Sequence, residues 1–476
     1  MVSGGRVMVP LVEIPDLVQH YAPFFASVFS PQAFEQFQRY VSGLIVSENK
    51  TVDGINRLFV LDVRNQSSLN RLLTESPFSV GALNQARLAL LQSLPGTAMK
   101  PKGVLSLDDT LLTHYGQHFD KIAYLYDSAQ QCYVWAHNLV NLHYSDDQTD
   151  YPIDFLLWEP ADLETIETGL TAAGIPIRQS KMVLKDHDAQ KWRQYLLGLW
   201  RRHQQNSDVG KLYQSKLLLA QQILSAFVNA HPQDRFPVTF DNWYTQPAFC
   251  RFVDKTLKVP YVGTLASDNL VVLKQGQQRL DAFDAQLQQE HHQALKDGGQ
   301  PVFRKLSITY KGDQETYYSY CKTHRIHNFG KHRLVINHRQ ADLSDSATYF
   351  ISNQLKWQAA GITRIRRHRW PVEVYHEEGK ADGLDQYQVR DFEAISRHIA
   401  LVAVTYSLLR AAQHDKALLQ KLERQVQSKL DGSAGSWRRN TQAQALWTLA
   451  VFIATGLSQG QALQDVMEPL LAVFAY

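Results

Sequence analysis

The chain has 476 residues, 44% of them hydrophobic and 20% charged, with a formal net charge of +3. That length suffices for two to four structural units and a sizeable core. So mild a basicity excludes a global field as the means of holding nucleic acid and leaves that work to local clusters. Cys132, Cys250 and Cys321 show no CxxC or paired spacing, which argues against a zinc site or a disulfide framework and fits a reducing cytosol. The opening MVSGGRVMVP has no apolar run of signal-peptide length, and no later segment reaches about eighteen uninterrupted apolar residues. The nearest approach, Ile399 to Leu409, ends at Arg410. A soluble, cytoplasmic protein with no membrane contact is expected.

Residues 11–95 read as helical, with apolar repeats through Leu17 to Phe29, Phe34 to Ile45 and Leu83 to Leu94. Ser30-Pro31 is a cap followed by a first-turn proline. Thr51 and Ser67 can cap two short helices, a pattern compatible with a helix-turn-helix whose DNA-facing side would carry Arg57, Arg64, Asn65, Gln66, Asn70 and Arg71. After Pro95 to Gly103 the period changes to that of strands: GVLSLDDT, KIAYLYD, CYVWAHNLVNLHY and DFLLWEP, the first three as an antiparallel meander. Residues 162–230 are mostly helical, with a helix from Lys211 to Ala230 ahead of the strand FPVTFD. This is an α/β layout in which carboxylates at strand ends face a common edge.

From Leu265 to Tyr349 the composition turns β-rich, interrupted by DAQLQQEHHQAL, as an inserted subdomain would be. ATYFISN resumes as a strand, and Leu355 to Gly361 makes a short helical link. The stretch RRHRWPVEVYHEEGKADGLDQYQVR, Arg366 to Arg390, follows. Read as a helix from about Pro371, it stacks Glu373, Glu377 and Lys380 on one face, directly after Arg366, Arg367, His368 and Arg369. A carboxylate inside such a cation cluster can hold a metal ion against a phosphate. From Glu393 the chain is helical and almost wholly apolar through Leu409, hence buried; residues 414–476 form a charged linker, a Gly-Ser turn and terminal amphipathic helices.

Three acids recur in this setting: Asp109 and Asp241 after apolar strands, and Glu373 on the helix. Two divalent ions about 4 Å apart need several hard oxygen ligands from rigid elements, and carboxylates at strand ends plus one from a flanking helix supply them. Either aspartate alone could simply close a strand in an Asx turn. With Glu373 in its cation cluster, the residues by themselves indicate metal-dependent phosphoryl chemistry.

In these motifs the chain resembles the bacterial insertion-sequence transposases of the DDE class, in the superfamily named for insertion sequence four, and most resembles its 701 subgroup. The signature Y-x2-R-x3-E-x6-K is matched by Arg369, Glu373 and Lys380, with Arg366 where the tyrosine is expected. LDDT resembles the first-acid motif and FDNWY the second, and the resemblance spans roughly residues 20–410. It implies an RNase H-like α/β core interrupted by a β-rich insertion, with helical terminal regions. The divisions are then 1–100 for a helical DNA-binding domain, 101–264 and 346–413 for the core, 265–345 for the insertion and 414–476 for the C-terminal region.

The resemblance further implies cut-and-paste transposition: hydrolysis at the element's ends, then strand transfer by the freed 3′-hydroxyl. Mg²⁺, with Mn²⁺ able to substitute, would sit in a two-metal site on Asp109, Asp241 and Glu373. Asp109 rather than Asp108 is chosen because it directly precedes the threonine. Arg366, Arg369 and Lys380 would meet phosphates, and Arg325, Lys331 and Arg333 of the insertion would track DNA, with Arg57 and Arg71 at the N-terminal region. Phe329 and Trp357 are candidates to stack on a base. The partners are double-stranded DNA, as terminal inverted repeats and target, and a second copy of the chain in the active complex. A catalytically silent DNA-binding protein, or an RNase H-like nuclease without strand transfer, are the alternatives the sequence leaves open.

Overall fold

Runs rich in β-branched and aromatic residues become strands. The structure is a computed structural model that describes residues 9–471. In chain order the strands are β1 (Val104–His114), β2 (Ala123–Asp127), β3 (Cys132–Ser145), β4 (Asp150–Trp158), β5 (Val238–Phe240) and β6 (Tyr261–Leu265). Then come β7 (Leu270–Leu273), β8 (Gly276–Arg279), β9 (Arg304–Tyr310), β10 (Asp313–Ile326), β11 (Gly330–His338) and β12 (Thr348–Ser352). The chain divides into two units. One takes the residues up to Asp108, Asn141–Asp154 and everything from His231 onward; the other takes Asp109–Val140 and Phe155–Ala230.

In the first unit the strand order is β1-β5-β6-β12-β11-β10-β7-β8, with β9 paired to β10. β1 pairs β5 and β5 pairs β6 in parallel, while β6 to β12, β12 to β11 and β11 to β10 are antiparallel. The fold is thus mixed α/β with a large mixed sheet. The β-rich stretch continues this same sheet, and DAQLQQEHHQAL lies within the helix Leu280–Lys296. Val104, Val262, Val335 and Phe350 on the strands pack with Ile362 and Ile365, which seat the helix Ala359–Arg367 on the sheet. Trp357 packs at the margin of this core.

Helix Phe392–Gln413 is buried nearly throughout. It meets a length and composition test for crossing a membrane, yet 83% of its most apolar window is buried inside the protein, as a core helix requires. The N-terminal helices pack on it: Tyr40 and His398 share a 2.8 Å hydrogen bond and Arg87 Nη1 donates to Ser407 Oγ at 2.9 Å. The suspected helix-turn-helix pair forms as Val52–Arg57 and Ser67–Thr74. Residues 58–66 join them, a longer link than the three- or four-residue turn of that motif. Arg39 and Arg64 hold it open by bonding Asp62. Thr51 caps the first helix as expected, but the second is entered through Asn65, whose Oδ1 accepts from the Ser67 amide.

The second unit holds the antiparallel pair β2-β3, with Tyr124 opposite Trp135 and Tyr126 opposite Tyr133 on one face. Its helices close on Ile166, Leu170, Trp192, Leu196, Trp200 and Val209. The helix expected from Lys211 begins at Lys216.

Elsewhere the largest departure from the sequence reading is at Leu355 to Gly361. The helix there starts only at Ala359 and continues through Arg367, so most of the basic run is itself helical. A new helix, Trp370–Ala381, follows, with Pro371 in its first turn. Proline has no N–H to donate and fits that position, which separates the two helices at His368-Arg369.

His376 of that second helix is buried, and its Nε2 accepts from Asn141 Nδ2 at 3.0 Å. Burial, with His143, Lys380 and Arg369 nearby, lowers its pKa to about 3. The unfolded chain takes up a proton near the ordinary 6.5, whereas the folded imidazole stays neutral until about 3. Between those values the unfolded state therefore binds more protons, and stability falls as pH falls. Urea unfolding should show a lower midpoint at pH 5.5 than at pH 7, and His376→Gln should flatten that difference. Equal pH slopes in the two proteins would remove His376 as a source.

Candidate active site

The side chains of the basic run divide by face. Arg364 pairs with Asp147 at 3.0 Å, Arg367 grips Glu315 of β10 through Nε and Nη2 (2.7–3.0 Å), and His368 Nδ1 bonds Ser145 Oγ at 2.9 Å. These contacts fasten the junction between the two helices. Arg366 and Arg369 turn the other way, toward acids. Arg369 Nη1 donates to Asp108 Oδ2 at 2.7 Å and Nη2 bonds Glu373 Oε1 one helical turn on, so one guanidinium bridges two carboxylates. Its Nε has no hydrogen-bond partner among the described residues.

Arg366 donates through Nε to Thr264 Oγ1 at 2.8 Å and lies 5.6 Å from the centre of the Phe350 ring. Burial pushes its pKa down to about 10, with Arg369 adding repulsion; Glu373, Asp241 and Asp108 pull the other way. At the expected tyrosine position the chain thus places an internal counter-charge for all three acids.

Strand register gives the acids their places. Leu105, Ser106 and Leu107 of β1 pair in parallel with Val238, Thr239 and Phe240 of β5. Asp108, within β1, and Asp241, just past the end of β5, are the next residues along, and neighbouring strands run about 4.8 Å apart with in-register side chains on the same face. Asp241 Oδ1 also accepts from the Trp243 and Tyr244 amides at 3.0 and 3.1 Å, the Asx turn anticipated for that position, which fixes the carboxylate. Asp109 belongs to the other unit, where its Oδ2 accepts from Asn138 Nδ2 at 2.6 Å and Lys216 Nζ at 2.8 Å. Consecutive strand residues point to opposite faces, so Asp108 and Asp109 cannot serve the same face.

The other anticipated residues are distributed as follows. Lys380 is half-buried on the helix of Glu373, with Asp385 feeling its charge, while Glu377 is exposed. Arg325 and Lys331 sit opposite each other across the β10-β11 hairpin, both exposed. Arg333 Nε is held by Cys321 Sγ at 3.1 Å and the Trp357 carbonyl at 3.0 Å. Phe329 lies half-buried against His332. Arg57 pairs with Asp53 at 2.8 Å, and Arg71 is exposed. The sequence reading weighed Asp108 against Asp109 and chose Asp109; only the pairing register, with Leu107 opposite Phe240, tells one aspartate's face from the next.

Among the described residues no three acidic, histidine or cysteine side chains already form a metal-ligating group. The donor set nevertheless suits a hard divalent cation, since Asp108 and Glu373 converge on a cation, the Arg369 guanidinium, and Asp241 is the register neighbour of Asp108.

Carboxylates where a parallel strand pair ends and on a flanking helix, compensated by buried arginines, are an arrangement suited to an enzyme that acts on phosphate esters. The chain matches the family model described as DDE superfamily endonuclease over residues 23–288, more than half its length, and it belongs to that family. The matched span includes Asp108 and Asp241 and ends before Glu373. Comparison with curated proteins found no match. Membership makes this a transposase- or nuclease-type enzyme with DNA as substrate.

Arg369 and Asp108 are only 14% and 13% exposed at their side chains. Removing one partner of so enclosed a pair leaves uncompensated charge. Arg369→Met should therefore lower unfolding free energy by about 3 kcal/mol, and adding Asp108→Asn should recover part of the loss. A double-mutant cycle in urea checks this; strictly additive losses would mean the two groups are not coupled.

Proposed function

We propose that the protein is a cut-and-paste DNA transposase of the insertion-sequence-four superfamily, nearest its 701 subgroup. In this reading it hydrolyses the ends of its element and transfers the freed 3′-hydroxyl into target DNA. The observation that carries the proposal is that Asp108 and Asp241 each follow directly on the paired Leu107 and Phe240, with Asp108 joined to Glu373 through Arg369. The proposed acids are accordingly Asp108, Asp241 and Glu373, with Asp108 taking the place the motif comparison gave to Asp109.

Asp108, Asp241 and Glu373 would hold Mg²⁺, or Mn²⁺ in its stead, which when bound supplies activation of the attacking oxygen and stabilisation of the leaving one. Arg369, relieved of the carboxylates, has a planar fork suited to a phosphate near the scissile bond. Arg366, anchored on Thr264, offsets acid repulsion and keeps the site from collapsing outward. Lys380 offers a second phosphate contact on the helix of Glu373. Arg325 and Lys331, like charges directly opposite each other, are a costly pair unless an anion lies near, and DNA is the anion proposed. Two ends must be cut and joined together, so two copies of the chain act in one complex, with the C-terminal helices as the contact. The reaction takes place in the bacterial cytoplasm.

The test incubates the full chain with Mg²⁺ and DNA carrying the element's terminal repeats. Cleavage followed by joined product is expected. Tight binding without cleavage would favour a silent DNA-binding protein, and cleavage without joining a simple nuclease. Asp108→Asn, Asp241→Asn and Glu373→Gln should each cut at least 10²-fold more slowly, the scale of losing an essential catalytic interaction, while end binding is retained. Asp109→Asn should keep the greater part of the rate. Full activity in Asp108→Asn, with loss in Asp109→Asn, would return the first acid to Asp109.

A further inference from the structure

A second basic site lies in the first unit, at the far end of the helix that leads to the acids. There a groove of about 660 Å³ is bordered by Arg304 and Lys305 of β9, Lys322 of β10 and Arg333 of β11, with the start of the helix Ala359–Arg367 at its edge. Four cationic residues line it against the single carboxylate of Glu290, which itself accepts a hydrogen bond from Gln286 Nε2 at 2.8 Å. Arg304, Lys305 and Lys322 are exposed and make no ion pair among the described residues. Arg333 is oriented by its bonds to Cys321 and the Trp357 carbonyl. Gln358, the residue before the helix, makes no side-chain capping bond, so the first-turn N–H groups gain no cap from it.

Single exposed lysines on strands are ordinary solvated surface. Four cations border one concavity beside a helix N-terminus, Arg304 and Arg333 from one face of the sheet and Lys305 and Lys322 from the other, and the repulsion among them is relieved by an anion. We infer that this groove, Arg304, Lys305, Lys322 and Arg333, grips the phosphodiester backbone of DNA at a distance from the scissile bond. The inference rests on the DNA-cutting function proposed above and names a contact surface for it.

The helix itself sets the spacing. Ala359–Arg367 has nine residues, about 13 Å at 1.5 Å per residue. The groove lies at its N-terminal end, and its C-terminal end leads directly to Arg369 and Glu373. With a strand rising about 3.4 Å per base pair, a duplex running along the helix meets the groove about four base pairs from the cut. Such a contact adds affinity and fixes the approach of the duplex without reading its sequence.

The experiment measures binding of a fluorescein-labelled duplex of arbitrary sequence to the full chain in EDTA, across a series of salt concentrations. The proteins are the wild type, the triple variant Arg304→Ala/Lys305→Ala/Lys322→Ala, and the charge-matched control of three exposed lysines elsewhere, Lys181→Ala/Lys211→Ala/Lys296→Ala. Three lost phosphate contacts should reduce the slope of log Kd against log salt by about two to three, with the control unchanged. Wild-type affinity and slope in the groove variant, or an equal loss in the control, overturns the inference. So does absence of duplex binding by the wild type. Cleavage of element ends in Mg²⁺ is scored separately. If the wild type cuts while the groove variant keeps its slope, the groove alone fails. If the wild type binds with a groove-dependent slope but never cuts, the transposase reading fails and the groove stands. On a duplex carrying the element end, a neutral methylphosphonate three to five base pairs from the mapped cut should weaken wild-type binding and leave the groove variant unaffected; equal weakening in both also counts against the groove.

Discussion

The site depends on holding several carboxylates together in a protein interior, where like charges repel and desolvation is costly. β-sheet register brings Asp108 and Asp241 to the same level on adjacent parallel strands, as Leu107 pairs with Phe240. Arginine makes this tolerable. Arg369 spans Asp108 and Glu373, while Arg366 sits within the field of all three acids. The surrounding polar contacts serve largely to keep those two guanidinium groups in position.

That positioning is built outward in layers. Arg367 on Glu315, Arg364 on Asp147 and His368 on Ser145 clamp the helix junction, and Ile362 and Ile365 press the first helix onto the sheet. Pro371 starts the second helix at once, so Glu373 falls within its first turn, where a carboxylate is favoured by the exposed backbone N–H groups. On the inner side of that helix, Tyr375 and His376 are buried, and the neutral imidazole accepts from Asn141 rather than adding a third cation to the site. The rigid side of the helix and its reactive side are therefore distinct, as a site that must hold charge without collapsing requires.

The same helix pair connects chemistry with substrate grip. One end of Ala359–Arg367 carries the counter-charges of the acids, while the other opens onto the groove of Arg304, Lys305, Lys322 and Arg333. Cations at the acids are internally paired, and Arg304, Lys305 and Lys322 at the groove make no ion pair among the described residues, which separates charge used to build the site from charge left for an external phosphate. DNA binding by local clusters in a chain of formal net charge +3 requires such a division.

Much of this was legible in the sequence because it depends on local rules. Hydrophobic periodicity located the strands and the buried helix Phe392–Gln413, proline marked the start of the helix bearing Glu373, and the spacing of Arg369, Glu373 and Lys380 drew attention to one face. Local rules could not choose between Asp108 and Asp109, because adjacent strand residues differ only in the face they occupy, and pairing with β5 assigns the face. Nor could they foresee that Arg366 would turn inward to Thr264 while its neighbour Arg367 bonded a strand fifty residues earlier in the chain, or that four separated cations would share one groove. Sequence alone determined which residue types and elements were available; the tertiary structure decided their partners, because register and packing between distant segments fix where each charge points.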